Sequence, residues 1–271
     1  LQPTNKYHHF SLQMYNYDIF SQICKYLTNK EKINLTAITT ATNDFKYKLN
    51  YVDQVTHEKI CKLSFYDNFE SISINGSYEK FPKNVKNIVI SCYPACNVYA
   101  ASPHFSIPIA TTHLTLYQFT QEWIQSKTIN IESIKRKIPN TITHLTFNGD
   151  FNENIHGCIP NSVTHLRFGE HFNHSIEGCL PVSVTHLSID NRYYMFASAL
   201  PSHVTHFELG NGCAKLKISA DDIANSDLFI RKCEKYFTWH QLWSLRVYYA
   251  YVKKYVQSVQ ELTLRYNMDD L

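Results

Sequence analysis

Apolar residues recur along this chain in short blocks of one form, an aliphatic residue, then Leu three positions on, then an apolar residue two further, with a proline just ahead. Aligned on a His-Leu step, the blocks read IPIATTHLTL from Ile107, IPNTITHLTF from Ile138, IPNSVTHLRF from Ile159, LPVSVTHLSI from Leu180 and LPSHVTHFEL from Leu200. A sixth, FPKNVKNIVI from Phe81, keeps the proline and the apolar positions and has Asn87 where the others have His. A seventh, Ile60-x-x-Leu63-x-Phe65-x-x-Asn68, keeps only the apolar spacing. Within a copy, Leu166 and Phe168 share one face of a strand because side chains alternate with period two, so His165 and Arg167 face outward. The connecting stretch from Phe172 to Pro181 carries Asn, Gly and Pro and does not support a helix of several turns, so this side is expected to be extended or briefly 3₁₀.

From Leu63 through Ile88, Leu114, Leu145, Leu166, Leu187 and Phe207 the steps are 25, 26, 31, 21, 21 and 20 residues, the longest carrying an insertion around Trp123 to Arg136. The later steps have the period of leucine-rich repeats. A single coil of this kind cannot cover its own apolar face, so stacking stabilises it and both ends need caps.

At the N-terminal end, residues 1–13 form a polar leader, and 14–56 read as a helical module. Ile19, Phe20, Ile23, Cys24 and Leu27 form an i, i+3, i+4 stripe for a helix of about ten residues. Ile33, Leu35 and Ile38 continue a second helix, and Thr42 to Leu49 suggest a short third. The solenoid takes residues 57–210. Residues 211–271 form an aromatic-rich cap, in which Ser219 followed by Asp221 and Asp222 is a helix start and two or three helices are expected. A competing pattern, Val259-x-x-Leu262-x-Leu264, repeats the strand spacing, and both readings of the last residues stand open. The expected fold class is α+β: helical module, one parallel repeat sheet, partly helical cap.

With 26 basic against 23 acidic residues the chain has no strong field, and no basic run interleaved with aromatics suggests nucleic acid as a partner. Its apolar runs, such as Val247 to Val252, are too short to cross a bilayer, and no secretory leader is visible. Eight cysteines are too sparse for a disulfide scaffold and point to a cytoplasmic location; Cys158 and Cys179 recur at one repeat position and read as buried fillers. Cys92 and Cys96 are half of a zinc ligand set with no second pair nearby, so no metal and no cofactor is expected. No P-loop, nucleophile elbow, Rossmann glycine pattern or HExxH occurs, and with seven glycines in the chain a catalytic role is not expected.

His113, His144, His165, His186 and His206 occupy one repeat position and should form a ladder at a spacing of about 4.8 Å on the concave sheet. Such a ladder is either a metal- or pH-responsive surface or a consensus element held by a Thr or backbone bond. The residues after each His differ from copy to copy, as Thr115, Thr146, Arg167, Ser188 and Glu208, which is what a recognition surface on a constant frame looks like. The expected partner-binding face is therefore His113, His144, His165, Arg167, His186, His206 and Glu208.

The stretches Phe151-Asn152-x-x-Ile155 and Phe172-Asn173-x-x-Ile176, each followed by [Ile/Leu]-Pro-x-Ser-Val-Thr-His-Leu, resemble the FNIP repeat, a leucine-rich-repeat relative found in social amoebae and giant amoebal viruses. The resemblance implies that Asn152 and Asn173 are inward asparagines bonding buried turn backbone. Residues 15–35, from Tyr15-Asn16-Tyr17-Asp18-Ile19-Phe20 to Ile33-x-Leu35, are similar to an F-box, although Tyr15-Asn16 replaces the usual Leu-Pro. An F-box would make this chain the substrate receptor of an SCF-type (cullin-RING) ubiquitin ligase. Tyr15, Asn16, Ile19, Phe20, Ile23, Leu27 and Ile33 would then dock the ligase's adaptor subunit, the repeats would bind a target protein, and the work would be done in the cytoplasm, the host's if the chain is viral. The alternative is a non-catalytic repeat scaffold whose N-terminal helices only cap the solenoid.

Overall fold

A computed structural model describes residues 16–75, 80–92, 106–118, 138–191, 200–210, 214–225, 231 and 260–266. Its frame is a ten-stranded sheet: β1 (Val55–Thr56), β2 (Ser71–Asn75), β3 (Asn87–Cys92), β4 (His113–Gln118), β5 (His144–Gly149), β6 (His165–Phe168), β7 (His186–Ile189), β8 (His206–Leu209), β9 (Ala214–Ser219) and β10 (Glu261–Tyr266). Strands β1 to β8 lie side by side in chain order; β10 follows β8 and β9 closes the edge. All neighbours are parallel except β9 and β10. One register line runs through Ile72, Ile88, Leu114, Leu145, Leu166, Leu187, Phe207 and Leu262, all buried.

The repeat consensus has a local cause at each position. The carbonyls of Pro108, Pro139, Pro160, Pro181 and Pro201 accept from the N–H three residues on, at 3.0–3.2 Å, so each proline opens a turn that feeds the next strand. The residue closing that turn, Ile142, Val163, Val184 or Val204, is fully buried. In the first of these copies Thr111 takes the position, equally buried, and its hydroxyl has no hydrogen-bond partner. Thr111→Val keeps the shape and removes an orphaned hydroxyl, so it should stabilise the fold by about 1 kcal/mol. An unchanged or lower denaturant midpoint would contradict this.

On the turn side the described coils contain extended and turn segments, as the Asn, Gly and Pro content requires. Phe147, Phe151, Phe168 and Phe172, all fully buried, stack in a two-by-two block with centroids 4.0–6.3 Å apart. Asn152 and Asn173 are exposed rather than inward; Asn152 still serves the coil stack, its Oδ1 accepting from Asn173 N–H at 2.8 Å. Cys158 is buried and Cys179 half-buried.

The helices are α1 (Tyr17–Cys24), α2 (Asn29–Thr36), α3 (Thr40–Asn43), α4 (His57–Ile60) and α5 (Ala220–Ala224). Asn16 caps α1, Thr28 and Glu31 form a reciprocal capping box on α2, and Thr39 and Thr42 do the same for α3. The expected third helix is thus α3 followed by a 3₁₀ turn, Asp44–Tyr47. Phe20 packs edge-on against Phe45 at 4.9 Å, and Tyr51 stacks on Phe69 at 4.7 Å, which joins the helical module to the solenoid core.

Two expectations are corrected. The seventh copy is not a strand: residues 57–60 are helix and 66–68 a 3₁₀ turn, and the strand of that coil is β2, carried by Ile72 and Ile74. The sheet also does not end at residue 210. Ala214-Lys-Leu-Lys-Ile-Ser alternates with period two and pairs antiparallel with β10, which is the open strand reading at Leu262 and Leu264 realised. Ser219 caps α5 as expected, through a capping box with Asp222. The aromatic residues from Phe229 to Tyr255, the insertion at 123–136 and Cys96 lie outside the described residues.

Candidate interaction surface

On the solvent face of the sheet the five histidines stand in register, His113 opposite His144, then His165, His186 and His206. Their rings stack with centroids 4.1, 4.2, 4.1 and 4.2 Å apart and planes within 15°. That is closer than the strand spacing because the rings lean into contact. Each Nδ1 lies 2.8–2.9 Å from the Oγ1 of the threonine just before it: Thr112, Thr143, Thr164, Thr185 and Thr205. The holding bond therefore comes from the histidine's own coil, and the backbone links each rung to the next: Thr164 and His165 N–H both donate to Thr143 O, and Thr185 and His186 N–H to Thr164 O.

Burial, followed by the neighbouring rings, pushes His144 down to about 4; the same causes lower His165 and His186. These rungs resist protonation, whereas an unfolded histidine takes a proton near pH 6.5. For His144 the effect on stability is nil above that pH, and it turns unfavourable as pH falls from about 6.5 toward 4, because only the unfolded chain gains protons there; His165 and His186 act in the same direction.

In the next outward column stand Thr115, Thr146, Arg167, Ser188 and Glu208. Arg167 is tied sideways to Asp190, with Nε and Nη2 at 3.2 and 2.9 Å from Oδ2, so it is a braced side chain and not a loose cation. Adjacent ladder rings are stacked nearly parallel, so their outer nitrogens run side by side instead of converging. Among the described residues no three His, Cys, Asp or Glu side chains gather as a metal ion would need.

The N-terminal candidates separate by exposure. Ile19 and Ile23 are each 42% exposed and Tyr26 is 91% exposed, which puts an apolar stripe at i, i+4 and i+7 on the outer side of α1 and its end. Asn16 is exposed as the cap, while Leu27 and Ile33 are partly buried against the core. Phe20 is a correction: it is fully buried against Phe45 and offers no surface to an adaptor, because the helix turns that face inward. Tyr15 lies outside the described residues. Tyr26, outside the expected adaptor set, extends that stripe at helical spacing, which is the signal that could have found it; Ile38, also outside the set, is 64% exposed after α2.

A second feature had no sequence signal. On the turn side, Asn154, His156, His174, Ser175, Glu177 and Cys179 line a shallow pocket of about 270 Å³. There Cys179 Sγ lies 3.9 Å from His156 Nδ1. Burial raises the Cys179 thiol, which keeps it protonated and a poor nucleophile.

A parallel one-strand-per-coil sheet with turn-rich returns is a leucine-rich-repeat-like solenoid, an architecture that works as a scaffold for protein–protein contacts. Residues 130–171 and 172–212 match the FNIP Repeat family. The putative FNIP repeat-containing protein L415 of Acanthamoeba polyphaga mimivirus is 26% identical over 163 residues, spanning 49% of this chain and 38% of that one. This chain thus spans well under two thirds of that relative. A solved structure, CroV588, described as a novel circular LRR protein structure, aligns over 54% of this chain and 24% of its own at 23% identity, with a TM-score of 0.36. Among the described residues no helix is long and apolar enough to cross a membrane.

Proposed function

We propose that this chain is the substrate-recognition subunit of an SCF-type ubiquitin ligase, in which the N-terminal helices dock the adaptor subunit and the sheet face selects the target protein. The chain itself performs no catalysis on this reading; ligation belongs to the other subunits, and the work takes place in the cytoplasm. The observation that supports it best is the outward apolar stripe of Ile19, Ile23 and Tyr26 on a small, well-capped helical module, since an exposed patch of this kind calls for a partner. A pull-down of adaptor by the intact chain is the test. Ile19→Asp with Ile23→Asp should reduce capture by about tenfold or more, with the melting temperature nearly unchanged because both positions are outside the core. If the unaltered chain captures no adaptor while a known F-box protein does, the second reading stands: the helices are a cap. One observation favours that reading, the continuous core from Phe45 through Tyr51 to Phe69 that seals the first coil.

A further inference from the structure

Among the strand residues of β2 to β7, Arg167 is the one lysine, arginine, aspartate or glutamate. Burial and the neighbouring rings lower His144, His165 and His186, so at neutral pH the middle of the ladder adds no charge of its own. Asp190, the counter-ion, does not share the exposure of its partner: the Arg167 side chain is 36% exposed and that of Asp190 8%. The face therefore shows solvent the cation and keeps the anion covered. A guanidinium carries five N–H donors in a planar fork. Asp190 Oδ2 takes two of them, from Nε at 3.2 Å and Nη2 at 2.9 Å, which is the side edge of the group. The end edge, made of Nη1 and the second Nη2 hydrogen, has no partner among the described residues.

Resting on the reading that the sheet face selects the target, we propose that the end edge of Arg167 binds an aspartate or glutamate side chain of the target protein. A target lying on this face takes water from the guanidinium, and the donors that Asp190 leaves open then need an acceptor, because a covered charge without its full bonding is costly. Two N–H groups on one edge match the two oxygens of a carboxylate in one plane, a bidentate pairing that a lone ammonium does not make. The brace has already ordered the long side chain, so the ligand does not bear that cost. In register, Thr146 and Ser188 flank Arg167, both uncharged, and the next acidic residue of that column, Glu208, stands two coils on. Past the strand ends, Asp150 and Glu170 lie 3.5 and 3.8 Å from His171 Nε2. An anion at Arg167 thus meets no strand carboxylate in the adjoining coils, whereas a lysine there would face the exposed cation.

The test titrates two peptides into the intact chain at neutral pH and physiological ionic strength. Both are acetylated and amidated at their ends; one alternates glutamate with serine, the other glutamine with serine. The readouts are the dissociation constant and the ¹⁵N NMR signal of Arg167 Nε, assigned by its loss in Arg167→Lys. The glutamate peptide should bind about tenfold or more tightly than the glutamine one and shift that signal. Arg167→Gln together with Asp190→Asn removes both charges, strands no carboxylate in the interior, and should abolish the preference. Arg167→Lys keeps the charge and loses the fork, so the preference should fall to about threefold. If the ion pair is only a tie between coils, the double variant melts at a lower temperature with the glutamate preference intact, and the proposal is overturned. Equal binding of the two peptides, binding of neither, or an undiminished preference in Arg167→Lys would overturn it as well. Equal binding removes the carboxylate and leaves the face as a peptide site, and adaptor capture is read separately through the N-terminal stripe.

Discussion

Phe168→Ala is expected to cost about 3–5 kcal/mol, the range for emptying a fully buried aromatic site. Phe168 is fully buried between Phe147, at 5.7 Å, and Phe172, at 4.0 Å, with ring planes within 13°. Its removal opens a void inside the two-by-two aromatic block, and the flanking rings cannot collapse into it because each is fixed to a different coil. Repeat arrays lean on nearest-neighbour contacts, so the damage should reach both adjoining coils. Chemical denaturation followed by circular dichroism gives the size; Phe168→Leu, which fills most of the space, should cost roughly a third as much. A loss under about 1 kcal/mol for the alanine variant would mean that the block is not packed as described.

The second large effect is at Gly149, the last residue of β5, where φ is +66° and an added Cβ would run into the carbonyl of Gln118. That same carbonyl accepts from Asp150 N–H at 2.8 Å, so the two coils are drawn together where a side chain would wedge them apart. Gly149→Ala should therefore combine left-handed strain of about 1–2 kcal/mol with a backbone clash, for a total on the order of 3 kcal/mol. Gly178 is the matched control: its φ is +65°, and an added Cβ would meet nothing within 4 Å. Gly178→Ala should show only the strain. Equal destabilisation of the two variants would show that the close approach at Gln118 contributes nothing.

What could be read from the sequence alone was whatever each coil states locally and the next coil repeats. The His-Leu alignment located β4 to β8 and their register, because Leu114, Leu145, Leu166, Leu187 and Phe207 carry the same burial demand in each copy. The same alternation put His165 and Arg167 outward, and Ser219 with its acidic followers marked the start of α5. What needed neighbours was decided only in three dimensions. Leu63 and Phe65 have strand-like spacing, yet the strand fell at Ile72 and Ile74, where a partner on each side completes the hydrogen bonds. β9 has no parallel place in the repeat, and it became a strand because β10 arrives from far along the chain to pair with it. At the sites the division is the same. The sequence named Ile19, Phe20 and Ile23 as one adaptor-facing set, and only packing against Phe45 turned Phe20 inward and left Ile19 and Ile23 with Tyr26 outside. It aligned five histidines, but the stacking at 4.1–4.2 Å and the bracing of Arg167 by Asp190 are contacts across coils, which one-dimensional periodicity does not encode.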